Sequence, residues 1–223
     1  MATQPPTATE RFFSGILPEN PVYRQLLALC PTLAITSTVP QAITMAGATT
    51  FVLVCANVIT SMLRNLLQPH LRILVFTVTI ATFVTIADRI LAAFLPEMSA
   101  NLGPYVPLII VNCMIIARCE VVGSKQGVGV ALSDALGQGA GFLAALLSIS
   151  IVRELLGFGT IGQGWIGTEG LRVLPESFPN WNLMVLPPGA FFTLGVLLGL
   201  ANWITRAVAR RKAANTTTEA NAA

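Results

Sequence analysis

Two cysteines are the residues of this chain whose type and placement could do chemistry. Cys30 lies in the apolar run 26–35, which Pro31 interrupts, and Cys113 lies in a second short apolar run, 107–116. Thiolates are ligands for soft metals and for iron–sulfur clusters. Short or broken apolar segments at matching positions of two half-chains point to a site near the middle of a bilayer. We therefore interpret Cys30 and Cys113 as metal ligands; the alternative is that each is a small buried hydrophobic residue.

The number of thiols limits what this chain can hold alone. An all-thiolate iron–sulfur cluster takes four cysteines, and the chain has four: Cys30, Cys55, Cys113 and Cys119. Cys55 and Cys119 have no counterpart in the other half. If only Cys30 and Cys113 are ligands, a second polypeptide must supply two thiolates; a four-cysteine site within one chain is the alternative. Proline disturbs backbone hydrogen bonding in both runs, so amides near the breaks could donate to the sulfurs.

Composition indicates the class of protein that positions these thiols. The 223 residues are 54% hydrophobic and 10% charged, with a mean hydropathy of +0.72, whereas soluble domains are about 25% charged. The sequence therefore predicts a polytopic membrane protein. No basic run has interleaved aromatics, so the net charge of +3 is not a nucleic-acid interface. The single His70 excludes bis-histidine haem, and no nucleotide-binding motif is present.

The apolar pattern predicts an all-α membrane protein with six transmembrane helices. A spanning helix needs about 20 apolar residues, and the six segments cover residues 22–39, 42–63, 71–94, 105–117, 128–156 and 190–208. The first segment of each half is short or broken. Three spans per half require the second half to be inverted. We predict an N-terminal cytoplasmic segment (1–21), a transmembrane domain (22–208, with repeats of about 22–103 and 104–208) and a C-terminal cytoplasmic tail (209–223).

Basic residues predict the orientation. With the N-terminus inside, the inner flanks hold ten Lys and Arg residues and the outer flanks hold three. By the positive-inside rule both termini are expected in the cytoplasm. Arg153 is the exception, because it follows the fifth segment as Arg64 follows the second, and one of the two must face outward.

Asp134 is the candidate for an ion path. Ionisable residues inside spans are costly and often functional, and Asp134 lies early in the fifth segment among several glycines. The alternative is an interhelical hydrogen bond. Gly137 and Gly141, like Gly195 and Gly199, have the small-x-x-x-small spacing, which is typical of close helix packing.

The sequence also resembles a known family. The residues that carry the resemblance are Leu29-Cys30-Pro31, then 107–113 with Arg118 and Glu120, Arg153-Glu154-Leu155-Leu156-Gly157 and Leu186-Pro187-Pro188-Gly189. These strings resemble the E-type subunit of the Rnf ion-translocating ferredoxin:NAD oxidoreductase complexes, a family shared with the D-type subunit of the sodium-pumping NADH:quinone reductase. The likeness covers roughly residues 20–203.

The resemblance implies a membrane electron-transfer subunit of a translocase in the bacterial inner membrane, moving sodium ions or protons and not catalytic alone. It implies an intramembrane 2Fe–2S cluster shared with the homologous, inverted A-type subunit, each chain giving two cysteines, here Cys30 and Cys113. The family's Arg-Ala-Glu reads Arg118-Cys119-Glu120 in this chain. The alternative is a secondary-transporter or ion-conducting subunit without redox chemistry, since inverted repeats and an intramembrane Asp suit that class equally.

Overall fold

The computed structural model describes residues 8–16, 18–65, 68, 70–162, 171–172 and 182–221. This part of the chain is helical apart from one antiparallel pair of two-residue strands. The longer helices are α1 (Ala8–Ile16), α3 (Val39–Leu63), α4 (Arg72–Phe94), α8 (Val128–Gly157) and α10 (Pro187–Asn221). The shorter helices are α2 (Leu29–Ile35), α5 (Pro96–Leu102), α6 (Pro107–Ile110), α7 (Cys113–Arg118) and α9 (Asn182–Val185). A 3₁₀ turn covers Gly103–Tyr105, a π-helix covers Cys119–Gly123, and β1 (Thr160–Ile161) pairs with β2 (Leu171–Arg172).

Four of the described helices are long and apolar enough to span a membrane. They are α3, α4, α8 and the first part of α10, to Arg206. A fifth candidate is the helix pair 96–105 and 107–123, which is bent by 53° at the break between its halves. This confirms a helical polytopic membrane fold and a broken segment before the fifth predicted span. The first predicted segment is not a continuous helical span, because within 22–39 only α2 and the first residue of α3 are helical.

Helices α3 and α8 form an antiparallel central pair. The start of α3 meets the end of α8, where the Val39 amide donates to Glu154 Oε2 at 2.7 Å. At the opposite end the Ser61 hydroxyl donates to the carbonyl of Gln126 at 2.8 Å, just before α8 begins. Small residues permit this close packing; halfway along, Gly139 lies against Thr50.

Residues 15–36, which run from the end of α1 to just after α2, follow α8 from its first half to its end. We call them the first broken segment. Gly15 of α1 lies against Gly137, and Arg153 Nη1 donates to Thr36 Oγ1 at 2.7 Å. Contacts between these points are Asn20 Nδ2 to the Gly141 carbonyl and the Tyr23 and Ser148 hydroxyls. Helix α1 lies in the predicted segment 1–21 and was not expected to be helical.

The second broken segment, which is the bent pair 96–105 and 107–123, follows α3 in the same manner. At its start, Glu97 and Thr44 line one apolar cavity between α3, α4 and α5. At its end, Gly123 packs against Asn57 and Thr60. The remaining long helices, α4 and α10, each contact the broken segment of the other half. Helix α4 contacts α6 and α7, and α10 contacts α2.

The predicted glycine packing is confirmed for one pair, and the other pair has no neighbour within the described part of this chain. A Cβ on Gly137 would lie 2.5 Å from the Phe12 carbonyl oxygen, and Gly141 lies against the Gly15 carbonyl. Gly195 and Gly199 of α10 meet nothing within 4 Å in the described part of the chain. The sequence spacing is the same in both helices, but among the described residues α8 alone has a neighbour at its glycine face.

Candidate functional site: a cysteine pair at two helix breaks

Cys30 is the second residue of α2, directly after a strained turn. Leu26 (φ 54°) and Ala28 (φ 58°) adopt the left-handed conformation, which costs a non-glycine residue about 1–3 kcal/mol. These two residues, rather than Pro31, interrupt the segment. Pro31 lies in the first turn of α2, where the backbone amides have no intrahelical partner and proline is tolerated. The prediction that Pro31 cuts the segment is therefore wrong by a few residues.

Cys113 begins α7, directly after the break between α6 and α7. The Asn112 side chain caps the new helix, accepting a hydrogen bond from the Met114 amide at 3.1 Å. Capping of this kind satisfies an amide that would otherwise lack a partner. The cap accounts for the buried Asn112, which the sequence identifies only as a polar residue in an apolar run.

The two breaks meet at the Cys113 sulfur. The Ala28 amide donates a hydrogen bond to Cys113 Sγ at 3.1 Å, and helix α2 contacts α6. The expected backbone donor near the breaks is thus found for Cys113. Cys113 therefore lies against the segment that leads into Cys30, two residues after Ala28, and both thiols are exposed.

The other two cysteines have different surroundings. Cys119 is fully buried at the start of the π-helix, and Cys55 is half-buried on α3. Among the residues that the structure describes, no three His, Cys, Asp or Glu side chains are grouped as a metal site would require. The four cysteines are therefore not gathered into one site, and Cys30 and Cys113 are the two exposed thiols.

Both cysteines lie in the first turn of a short helix, Cys30 in α2 and Cys113 in α7. Both thiols are exposed, and the Cys113 sulfur already accepts a backbone hydrogen bond.

An apolar cavity of about 690 Å³ adjoins Cys113. Its wall carries one ion pair, Arg72 Nη1 to Glu120 Oε1 at 3.3 Å. The sequence places Arg72 only among the inner membrane flanks. No spacing rule brings the start of α4 to α7, so this pair could not be found from the sequence.

Asp134 is buried and paired rather than free. Its Oδ1 lies 3.5 Å from Nη1 of Arg118, the last residue of α7, and Arg118 also contacts Glu19 at 3.3 Å. The other Asp134 oxygen, Oδ2, has no hydrogen-bond partner, and neither has Gln138 Oε1 one turn later. The signal for this cluster was Arg118 itself, a charged residue ending an apolar run.

Arg153 is also internal, which resolves its conflict with the charge rule. It is 2% exposed and donates to Thr36 and to the carbonyls of Met184, Val185 and Leu186. Arg64, its expected counterpart, is exposed. Arg153 therefore ties α2 to α9 and is not a marker of membrane orientation.

Comparison with known proteins gives consistent matches over most of the chain. A family model described as Rnf-Nqr subunit, membrane protein, matches residues 8–198. The E-type subunit of the Na⁺-translocating ferredoxin:NAD⁺ oxidoreductase complex of Acetobacterium woodii is 42% identical over 86% of this chain and 94% of that protein. The E-type subunit of the ion-translocating oxidoreductase complex of Methanosarcina acetivorans is 43% identical, covering 86% and 89%. The E-type subunit of the proton-translocating ferredoxin:NAD⁺ oxidoreductase complex of Clostridium ljungdahlii is 37% identical, covering 85% of each chain.

Proposed function

Since this chain belongs to the Rnf-Nqr family of membrane subunits, we propose that it is the E-type subunit of an ion-translocating ferredoxin:NAD⁺ oxidoreductase complex. The matches to relatives with this name extend over most of each relative and over most of this chain. The chain is then one subunit of a translocase, and ferredoxin and NAD⁺ react elsewhere in the complex.

The observation that supports an electron-transfer role is the meeting of the two broken segments at Cys113. Two exposed thiols, one accepting a backbone hydrogen bond, suit half of the four-thiolate ligand set of a 2Fe–2S cluster. When bound, such a cluster supplies one-electron transfer within the membrane. Cys30 and Cys113 would hold it, the Ala28 amide would donate to one sulfur, and the Asn112 cap would fix the start of α7.

The missing two thiolates lead us to a partner of similar construction. The exposed side of the thiol pair would be covered by the homologous A-type subunit, inserted in the opposite direction and contributing two cysteines. The lipid bilayer surrounds the remaining faces. The translocated ion is a sodium ion or a proton, as the names of different relatives state for their own complexes.

The internal packing supports two inverted three-helix repeats. Helices α3 and α8 occupy the same position in each half and run antiparallel. Helix α4 contacts α6 and α7 of the other half, and α10 contacts α2 of the other half. A pseudo-two-fold axis between the halves would produce this pattern of contacts.

A sixth crossing is supported by the path of the first broken segment. From Gly15 to Thr36 it follows α8 between Gly137 and Arg153, a distance of about 24 Å at 1.5 Å per residue. That length approaches the hydrocarbon thickness of a bilayer, about 30 Å. For six crossings in a bacterial inner membrane, the Lys and Arg distribution supports an orientation with both termini in the cytoplasm.

A second candidate function is ion conduction without redox chemistry. The observation favouring it is Asp134, whose Oδ2 is buried without a partner. Ionisable groups buried in membranes commonly mark ion paths. The two functions are separated by whether the cysteines bind iron.

The deciding experiment replaces the cysteines one at a time in the intact complex. In Cys30→Ala and Cys113→Ala we expect the EPR signal of one 2Fe–2S cluster and ferredoxin–NAD⁺ electron transfer to be lost, because no spare thiolate lies beside either position. Cys55→Ala, half-buried on α3, is the matched control and should keep both. Retention of all iron in Cys30→Ala, or its loss only in Cys119→Ala, would contradict the assignment.

The partner is tested by expression with and without it. This chain expressed alone should hold no stable 2Fe–2S cluster, because two thiolates are too few. Co-expression with an inverted homologue should restore the cluster. A stoichiometric amount of iron in the purified lone monomer would rule out a shared cluster.

A further inference from the structure

Arg72 and Glu120 lie in the wall of the cavity beside Cys113. Arg72 is the first residue of α4, and Glu120 is the second residue of the π-helix that continues α7. Their side chains form an ion pair at 3.3 Å, while the rest of the wall is mostly apolar, including Leu27 and Phe76. One guanidinium and one carboxylate therefore face the same small space as the Cys113 thiol.

The ion pair is only partly hydrated, so its charges act over a longer range than they would in water. The side chains of Arg72 and Glu120 are 28% and 43% exposed. Arg72 Nε is buried and has no hydrogen-bond partner. Charges beside apolar walls are screened less than charges in bulk solvent. The unpartnered Nε leaves part of the hydrogen-bonding capacity of the guanidinium unused.

We propose that the Arg72–Glu120 pair sets the reduction potential of the redox group held at Cys113; this inference rests on the proposed function. Taking up one electron adds one negative charge to a thiolate-bound group. Arg72 favours that charge and Glu120 opposes it, so the two residues move the potential in opposite directions. Net charge, hydrogen bonds and exposure are the factors by which a protein tunes such groups.

The test is a redox titration of the intact complex with dithionite, followed by EPR. The signal to follow is the one that Cys113→Ala removes. Arg72→Gln should make the midpoint more negative, because the reduced form loses a stabilising cation. Glu120→Gln should make it more positive. A tenfold change in the reduction equilibrium corresponds to about 59 mV for one electron, and we expect shifts approaching that size in each direction.

Three further variants separate charge from packing. The double variant Arg72→Gln/Glu120→Gln restores the net charge of the pair and should return the midpoint towards its original value. Arg72→Lys keeps the charge and should shift the midpoint less than Arg72→Gln. Arg89→Gln, an exposed arginine near the other end of α4, is the matched control and should leave the midpoint unchanged.

The outcomes that overturn the inference are distinct from those that overturn the function. Equal midpoints in all variants, or shifts of the same sign in Arg72→Gln and Glu120→Gln, would reject electrostatic tuning. If Arg72→Gln does not assemble, the positive shift expected in Glu120→Gln still decides the matter. A cluster signal that survives in Cys113→Ala would instead reject the proposed function.

Discussion

At the scale of single residues, several charges of this protein are held in ion pairs. Asp134 contacts Arg118, Arg118 also contacts Glu19, and Arg72 contacts Glu120. Removing one partner of a buried pair leaves the other charge uncompensated, at a cost of about 3–5 kcal/mol. Asp134 differs from a simple structural carboxylate in one respect, the unpartnered Oδ2.

Asp134→Asn should separate ion transport from electron transfer. Arg118 keeps Glu19 as a partner at 3.3 Å, so we expect the fold and the cluster to persist. The ions moved per electron should fall, because the amide can neither take up a proton nor offer a charged ligand. The measurement is ion uptake into vesicles divided by ferredoxin oxidised. Glu97→Gln, an exposed carboxylate, is the control, and an unchanged ratio for Asp134→Asn would make it a packing residue.

The sequence identified which residues could be chemically active but not what they contact. Cys30, Cys113 and Asp134 stand out because thiols and a carboxylate interrupt apolar runs. Their partners are too distant in sequence to be predicted; the Ala28 amide reaches a sulfur 85 positions away. Arg153 was expected at a membrane flank, because charge alone does not reveal that backbone carbonyls surround it.

At the scale of the helices, glycine decides which faces can approach. The face of α8 with Gly137 and Gly141 accepts the backbone of α1, whereas Gly195 and Gly199 in α10, with the same spacing, meet no atom within 4 Å in the part of the chain that the structure describes. Close backbone contact of this kind is what small residues provide in membrane helices.

Gly137→Ala should therefore destabilise the protein and Gly195→Ala should not. The new methyl group in Gly137→Ala would lie 2.5 Å from the Phe12 carbonyl oxygen, and overpacking of a tight contact costs about 1–3 kcal/mol. The measurement is thermal unfolding in detergent, together with protease cleavage within α1. Gly195→Ala meets no atom within 4 Å and serves as the control. Equal melting temperatures for both variants would mean that α1 does not need this contact.

The long apolar helices were predicted closely, whereas the broken segments were predicted to be broken but not with the right bounds. The expected segments 42–63, 71–94 and 128–156 correspond to Val39–Leu63, Arg72–Phe94 and Val128–Gly157, because a long apolar run has one stable solution in lipid. The expected segment 22–39 yields only a short helix, since the left-handed Leu26 and Ala28 interrupt it. Pro31 predicts that this segment is broken, but neither left-handed residue is a glycine, so the sequence did not indicate where the break lies.

At the scale of the whole molecule, orientation is the property most directly open to test. A reporter fused after Ala223 should be active only as a cytoplasmic reporter, because ten of the thirteen Lys and Arg residues lie on the predicted inner flanks. A fusion after Ala100, in the connection predicted to lie outside, is the control with the opposite expectation. Periplasmic activity of the Ala223 fusion would reverse the orientation.

The position of the first broken segment has a consequence for how this protein is made. Residues 15–36 rest on α8, whose contacting residues are translated more than a hundred positions later. When residues 15–36 reach the membrane during synthesis, α8 has not yet been translated. Late partners of this kind slow assembly and expose unpaired surface. Asn20, Tyr23 and Thr36 can thus take up their contacts with α8 only after that helix has been made, so the first segment reaches its final packing late in synthesis.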